Sequence, residues 1–297
     1  MSKSSALGLS TELRLLLLLA VLFGVASCGQ PRPRLNPSAF TLGYMYELGV
    51  GLEQSDAKAL KWYREAAESG DPDGQFHLGL AYANGEGVPQ DRAEAAKWFR
   101  LAAEQGNVPA QFNLGLAYSQ GLGISRDDDA AVHWFRRAAE AGDRYAQFHL
   151  GLAYANGRGV PQDPAEAVRL YRLAADAGDK YAQFNLGLAY AQGHGIAQDD
   201  QEAAHWYYRA ALQGEPYAQL HLGRAHANGR GVDLDDEEAY VWLTLASVAL
   251  GAEYGEVRRE ASEALAPVAA KLSAVPLERA SKRVRAIQSM IRNDKGS

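Results

Sequence analysis

The amino-acid sequence predicts an all-α chain, an α/α solenoid of about six 36-residue helical hairpins closed by a C-terminal helical cap. Three observations carry that expectation. The phrase QFHLGLAYANG stands at 75–85 and returns letter for letter at 147–157, 72 residues on. Leu-Gly recurs at 42/43, 78/79, 114/115, 150/151, 186/187 and 222/223, a step of 36 residues kept without an insertion. Tryptophan obeys the same ruler at Trp62, Trp98, Trp134, Trp206 and Trp242, with Leu170 in the one gap. A period of this length marks a stacked array, in which a unit too small to bury its own apolar stripe buries it against the next copy.

Taken from the N-terminus, the first segment differs from the rest. Lys3 and Arg14 precede an apolar run from Leu15 to Ala26, shorter than the roughly 20 residues that cross a bilayer. Residues 1–27 therefore read as a signal peptide. It ends in Val25-Ala26-Ser27-Cys28, which resembles the lipobox of bacterial lipoproteins, where the cysteine becomes the lipidated N-terminus after cleavage. Cys28 is the only cysteine of the chain, which fits an anchor better than a redox centre or a disulfide framework. The resemblance implies a membrane-held, periplasm-facing protein. In a Gram-negative cell an aspartate after the cysteine favours the inner membrane, so Gly29 points to the outer one. Residues 28–35, with Pro31 and Pro33, read as a short semi-rigid spacer.

Loss of the leader removes Lys3, Arg14 and Glu12, taking the net charge from −6 to −7. An acidic body of this kind argues against nucleic-acid binding. Apolar residues at 47% with charged residues at 22% describe a packed globular chain.

Each repeat divides into two helices, about Asp73 to Asn84 and Arg92 to Gln105 in the second copy. Gly85 and Gly106 sit where a left-handed residue closes each helix, and Asp91 and Asn107 where an N-cap opens the next. Pro72 and Pro216 stand at helix starts, where a missing N–H costs little. In the second helix Ala95, Trp98, Phe99, Ala102 and Ala103 make one stripe at helical spacing. Gly79 and its equivalents lie mid-helix, at roughly 1 kcal/mol against alanine. The expected reason is close helix approach, with aromatics such as Tyr82 and Trp98 over the small residue.

The unit from Ala146 to Tyr154, then Gly157-Arg158-Gly159-Val160, then Ala165 to Gly178 with Ala174-Ala175, resembles the Sel1-like repeat, a relative of the tetratricopeptide repeat. The resemblance spans residues 36–251 as six units: 36–71, 72–107, 108–143, 144–179, 180–215 and 216–251. It implies a right-handed superhelix and an adaptor that binds proteins. Residues 252–297 read as a cap of two helical stretches punctuated by Pro267 and Pro276. Their basic cluster, Lys282-Arg283-Val284-Arg285, reads as a solvated face, with a docking patch as the alternative.

Repeats two and four share FHLGLAYANG and VPQD, while three and five share FNLGLAY. Two repeats were the unit of copying, and two kinds of surface should alternate.

No reaction centre emerges. The Gly-x-Gly of each inter-helix loop follows no strand and lacks the third glycine of a nucleotide fingerprint, so backbone geometry is the better reading. His77, His149 and His221 stand two repeats apart, about 16–20 Å at ordinary helix spacing, too far to share a metal ion. Ser55-Asp56-Ala57-Lys58 matches the Ser-x-x-Lys of penicillin-recognising enzymes, but the companion Ser-Asp-Asn and Lys-Thr-Gly are absent. Ser55 or Asp56 also falls at an N-cap position. The expectation is a monomer with no enzyme activity, cofactor or metal.

What remains is the non-core face of the first helices, which in repeat solenoids usually lines the concave side. In repeats four to six this row reads Tyr145, His149, Leu152, Asn156; Tyr181, Asn185, Leu188, Gln192; Tyr217, His221, Arg224, Asn228. In repeats two and three it reads Asp73, His77, Leu80, Asn84; Pro109, Asn113, Leu116, Gln120. Aromatic tips among amides and imidazoles suit recognition. The alternative is that the histidines bond neighbouring helices and the amides cap their own, leaving only the tyrosines. Three functions stand open: a lipid-anchored scaffold binding a protein or peptide, a carbohydrate-binding factor in polysaccharide export, and a hydrolase of β-lactam or peptidoglycan chemistry.

Overall fold

A computed structural model describes residues 37–294; the leader, Cys28 and the spacer lie outside the described residues. Two compact units divide after Arg126. The first holds α1 (Ala39–Leu48), α2 (Asp56–Glu68), α3 (Pro72–Asn84), α4 (Arg92–Glu104) and α5 (Val108–Gln120). The second holds α6 (Asp128–Glu140), α7 (Arg144–Asn156), α8 (Pro164–Asp176), α9 (Lys180–Gln192), α10 (Asp200–Leu212), α11 (Pro216–Asn228) and α12 (Asp236–Ser247). It ends with a 3-10 turn (Ala252–Tyr254), α13 (Gly255–Lys271) and α14 (Ala274–Asp294). No strand occurs among the described residues. Within each unit successive helices pack on one another, so the fold is all-α, a solenoid of helical hairpins.

The close approach expected at the mid-helix glycines is present, but a different side chain makes it. A methyl at Gly79 would lie 2.7 Å from the Phe99 ring, not against Trp98 or Tyr82. The same distance separates Gly43 from Tyr63, Gly151 from Tyr171, Gly187 from Tyr207 and Gly223 from Leu243. The residue after each tryptophan position points squarely into the hairpin, whereas Trp98 is itself only half-buried. Alanines fill the rest of the stripe, Ala95, Ala102 and Ala103 being at most 2% exposed.

Helix ends account for their own polar groups. Asp91 accepts from the backbone N–H of Ala93 and Glu94, and Asn107 from that of Ala110. Ser55 caps α2, accepting from Lys58 N–H at 3.4 Å. Helix α3 closes on left-handed Gly85, with φ 74°. A buried glutamine recurs inside the first helices: Gln75, Gln111, Gln147, Gln183 and Gln219 donate Nε2 to the carbonyls of Ala67, Ala103, Ala139, Ala175 and Ala211. Each bond stitches one repeat to the carbonyl end of the helix before it, where backbone acceptors are otherwise left over. The second glycine of the loop Gly-x-Gly is also a packing device. A Cβ at Gly195 would sit 2.2 Å from the Pro164 carbonyl oxygen, and one at Gly231 1.9 Å from that of Asp200.

One reading of the C-terminal segment is corrected. Pro267 lies inside α13 and does not end it; proline removes one backbone bond, and Val257, Ala261 and Val268 hold the helix in the core cluster it shares with Leu220 and Leu243. The basic cluster is a solvated face, with Lys282, Arg283 and Arg285 exposed, and only its valine turns inward. Val284 is 7% exposed in the core of the second unit, and Arg283 is paired with Glu238. Arg279 pairs with Glu237, and Lys271 with Asp236 at 2.9 Å. The acidic first turn of α12 thus carries the cap's bases, which places carboxylates at the helix end that favours them.

The glycine contact is testable by substitution. Gly187→Ala should lower the unfolding free energy by about 1–3 kcal/mol, because overpacking outweighs helix propensity. Gly255→Ala, where a Cβ would meet nothing nearer than 3.8 Å, should be neutral or stabilising by up to about 1 kcal/mol. Chemical denaturation of both variants checks the pair; equal effects would refute the packing explanation.

Candidate functional site

In the second unit, α7, α9 and α11 present the expected row, and its members divide by what holds them. Three amides bond within their own helix: Asn156 Nδ2 donates to Leu152 O at 2.8 Å, Asn185 to Tyr181 O at 2.8 Å, and Asn228 to Arg224 O at 2.9 Å. Gln192 is exposed at the end of α9.

The histidines pack as rings. His149 stacks on Phe135 with centroids 5.3 Å apart, and His221 lies 5.1 Å from Tyr207 and 5.6 Å from Phe184. In the first unit His77 stacks on Tyr63 at 4.6 Å. Burial therefore pushes the imidazole of His149 down to about 4 and lowers that of His221. At neutral pH these are uncharged aromatic wedges between helices. Arg224 is taken by the cap, its Nη2 lying 2.7 Å from Glu260 of α13.

The tyrosines remain. Tyr181 is 43% and Tyr217 37% exposed, while Tyr145 is half-buried beneath Arg144, whose guanidinium lies 4.9 Å from its ring centroid. Phe148 backs Tyr181 at 6.1 Å and Phe184 backs Tyr217 at 5.8 Å. Lys180 Nζ lies 5.1 Å over the Tyr181 ring.

The structure adds a residue that sequence reasoning left in the cap. Tyr254, in the 3-10 turn before α13, meets Tyr217 edge-on at 6.1 Å and lies beside Tyr181. Its signal was slight: one tyrosine between Gly251 and Gly255, outside the 36-residue register. Tyr181, Tyr217 and Tyr254 form an aromatic cluster at the junction of the fifth and sixth hairpins with the cap. Glu215 lies beside it. This carboxyl caps α11 by accepting from Ala218 N–H, and burial pushes it up to about 7.

A second periodic pair also escaped the sequence reading. Arg100 donates to the Tyr118 hydroxyl at 3.0 Å, Arg136 to Tyr154 at 3.2 Å, and Arg172 to Tyr190. Each is 18 residues from its partner, half a repeat, so these hydroxyls are held by the preceding helix. No group of three or more His, Cys, Asp or Glu placed to hold a metal ion occurs among the described residues. No described helix is long and apolar enough to cross a membrane.

The Sel1 repeat family matches residues 37–71, 72–107, 108–143, 144–179, 180–215 and 216–247. A Sel1 repeat protein from Oxalobacter formigenes is 37% identical, with a TM-score of 0.64 over 70% of this chain and 83% of that one. The protein c5321, a protective antigen present in uropathogenic Escherichia coli strains and displaying an SLR fold, is 32% identical with a TM-score of 0.58. That similarity covers 87% of this chain but 63% of the antigen's own length. None of the curated proteins compared matches.

The buried imidazole gives a pH prediction. The folded pKa of His149 lies below the free value of about 6.5, so its neutral form stabilises the fold above that value, and the contribution falls as pH drops toward 4. Relative to His149→Asn, the residue of repeats three and five, the wild type should lose about 2 kcal/mol between pH 6.5 and 5. Parallel denaturation curves for the two proteins across that range would disprove it.

Proposed function

The chain belongs to the Sel1 repeat family, and from that premise we propose that it is a membrane-anchored scaffold whose aromatic row grips a protein or peptide. Sel1 repeat proteins mediate protein–protein interaction. The observation that carries the finer reading is the Tyr181–Tyr217–Tyr254 cluster. These rings are exposed in part, backed by phenylalanines and positioned by one another. Rigid aromatic tips give contact area at small entropic cost, the usual make-up of a binding hot spot.

No catalysis is assigned. The Ser-x-x-Lys serine is occupied as the N-cap of α2, and a positioned base for it is not part of the proposal. The anchor rests on Val25-Ala26-Ser27-Cys28, with the sulfur of Cys28 as the atom that takes the lipid through a thioether. A lipid there and a semi-rigid spacer would hold the repeats against the periplasmic side of an envelope membrane, the outer one in a Gram-negative cell given Gly29.

Site-specific photo-crosslinking at Tyr181 and Tyr217 in intact cells should trap a protein, and identification of the adduct names it. With the trapped partner in hand, Tyr181→Ala should weaken binding by about 2 kcal/mol, some 30-fold. Glycan adducts without protein would move the function to carbohydrate binding. Cys28→Ser should abolish both acyl labelling and membrane fractionation; retention of either would remove the anchor from the proposal.

A further inference from the structure

Near the fifth and sixth hairpins, α10, α11 and the end of α9 enclose a pocket of about 290 Å³. Its polar lining is Asp200, Tyr207, His221, Arg224, Asn228 and Arg230, and the rest is alanine. Two features mark it as built. Tyr207 is 4% exposed, yet its hydroxyl has no hydrogen-bond partner. The same register carries Phe99 and Phe135 in repeats two and three, so the core has no need of that oxygen. In repeat one the equivalent Tyr63 donates to Glu47. An unpaired buried hydroxyl costs about 1–3 kcal/mol. Trp98 Nε1, Trp206 Nε1 and Thr244 Oγ1 are also unpaired, but none of them lines this pocket.

The second feature is Arg224. Repeats two to five place Leu80, Leu116, Leu152 and Leu188 at its position, so a guanidinium has replaced an apolar side chain here. Glu260 accepts from one of its nitrogens at 2.7 Å. Arg230 gives Nε to Asp200 at 3.0 Å and Nη2 to the Ala191 carbonyl at 3.4 Å. A guanidinium has five N–H donors, so both retain more than these bonds use. Each guanidinium thus has one carboxylate partner, Asp200 within the lining and Glu260 outside it, and its remaining N–H donors stand near Tyr207 and the alanines.

We propose that this pocket binds a small carboxylate-headed molecule, its oxyanion held by the Tyr207 hydroxyl and by Arg224 and Arg230, its compact apolar body on the alanines. The same chemistry could be offered by a free organic acid or by the C-terminal carboxylate of a peptide. The site shares His221, Arg224 and Asn228 with the row but needs no macromolecular partner, so crosslinking at Tyr181 can fail while this site stands, and the reverse.

Isothermal titration of the full chain with cyclohexanecarboxylate tests it, with cyclohexanecarboxamide as the uncharged isostere. N-acetylvaline and N-acetylvalinamide model a chain end. Each acid should bind about tenfold or more tightly than its amide, and Tyr207→Phe should lose about tenfold or more. The ligand-free Tm of Tyr207→Phe should equal or exceed that of wild type, since an orphaned oxygen is gone. Arg224→Leu, the side chain of repeats two to five, should also lose binding. The tighter of the two acids identifies the source. Equal affinity for acid and amide, undiminished binding by Tyr207→Phe, or a pocket that holds only water at millimolar acid would overturn the assignment.

Discussion

The whole architecture depends on one contact, a glycine backbone in the first helix of a hairpin laid against the ring or branched side chain of the second. With a Cβ sitting 2.7 Å from that side chain in every described case, no other residue fits without moving a helix. The contact fixes the depth at which two helices engage. With depth fixed, the alanines at the neighbouring stripe positions are the right size to fill what remains, and a larger side chain would hold the helices apart. A period kept at 36 residues without an insertion follows, because any insertion would move a glycine off its ring.

Polar accounting reinforces the same register. Each buried glutamine closes an acceptor at the end of the preceding helix, each aspartate or asparagine opens the next, and each loop glycine lets a turn abut a backbone carbonyl. Donors and acceptors that might have served chemistry are thereby committed to structure. The loop glycines of the Gly-x-Gly pairs and the serine of the Ser-x-x-Lys stretch, suggestive as strings, have structural roles in packing and capping.

Function is left to the surfaces where the register is broken. The cap supplies Tyr254 to the tyrosines of α9 and α11 and Glu260 to Arg224, so an element that closes the core also completes the exposed aromatic cluster. The alternation of His and Asn along the row follows the two-repeat copying. The imidazoles of the even repeats pack as neutral rings, and the amides of the odd ones bond their own helices. That leaves Tyr181 and Tyr217, with the junction to the cap, as the exposed aromatic part of the row.

The sequence by itself determined the repeat, the two helices of each hairpin, their caps, and the loop glycines, because all of these are local or periodic. Helix bounds such as Arg92–Glu104 differ from expectation by one residue, and the cap of α2 was legible as Ser55 or Asp56, the structure choosing Ser55. It also showed which residues stand on the row. Tertiary structure alone decided that Phe99 and not Trp98 meets Gly79, since two adjacent side chains on one helix differ only by a rotation that depends on how the partner helix is set. It likewise decided that the cap's bases pair with α12, that Tyr254 joins Tyr217 and Tyr181, and that Tyr207 lines a pocket. Each of those facts relates segments tens of residues apart in the chain and outside the period, and no repeat pattern can record where a non-repeating segment comes to rest.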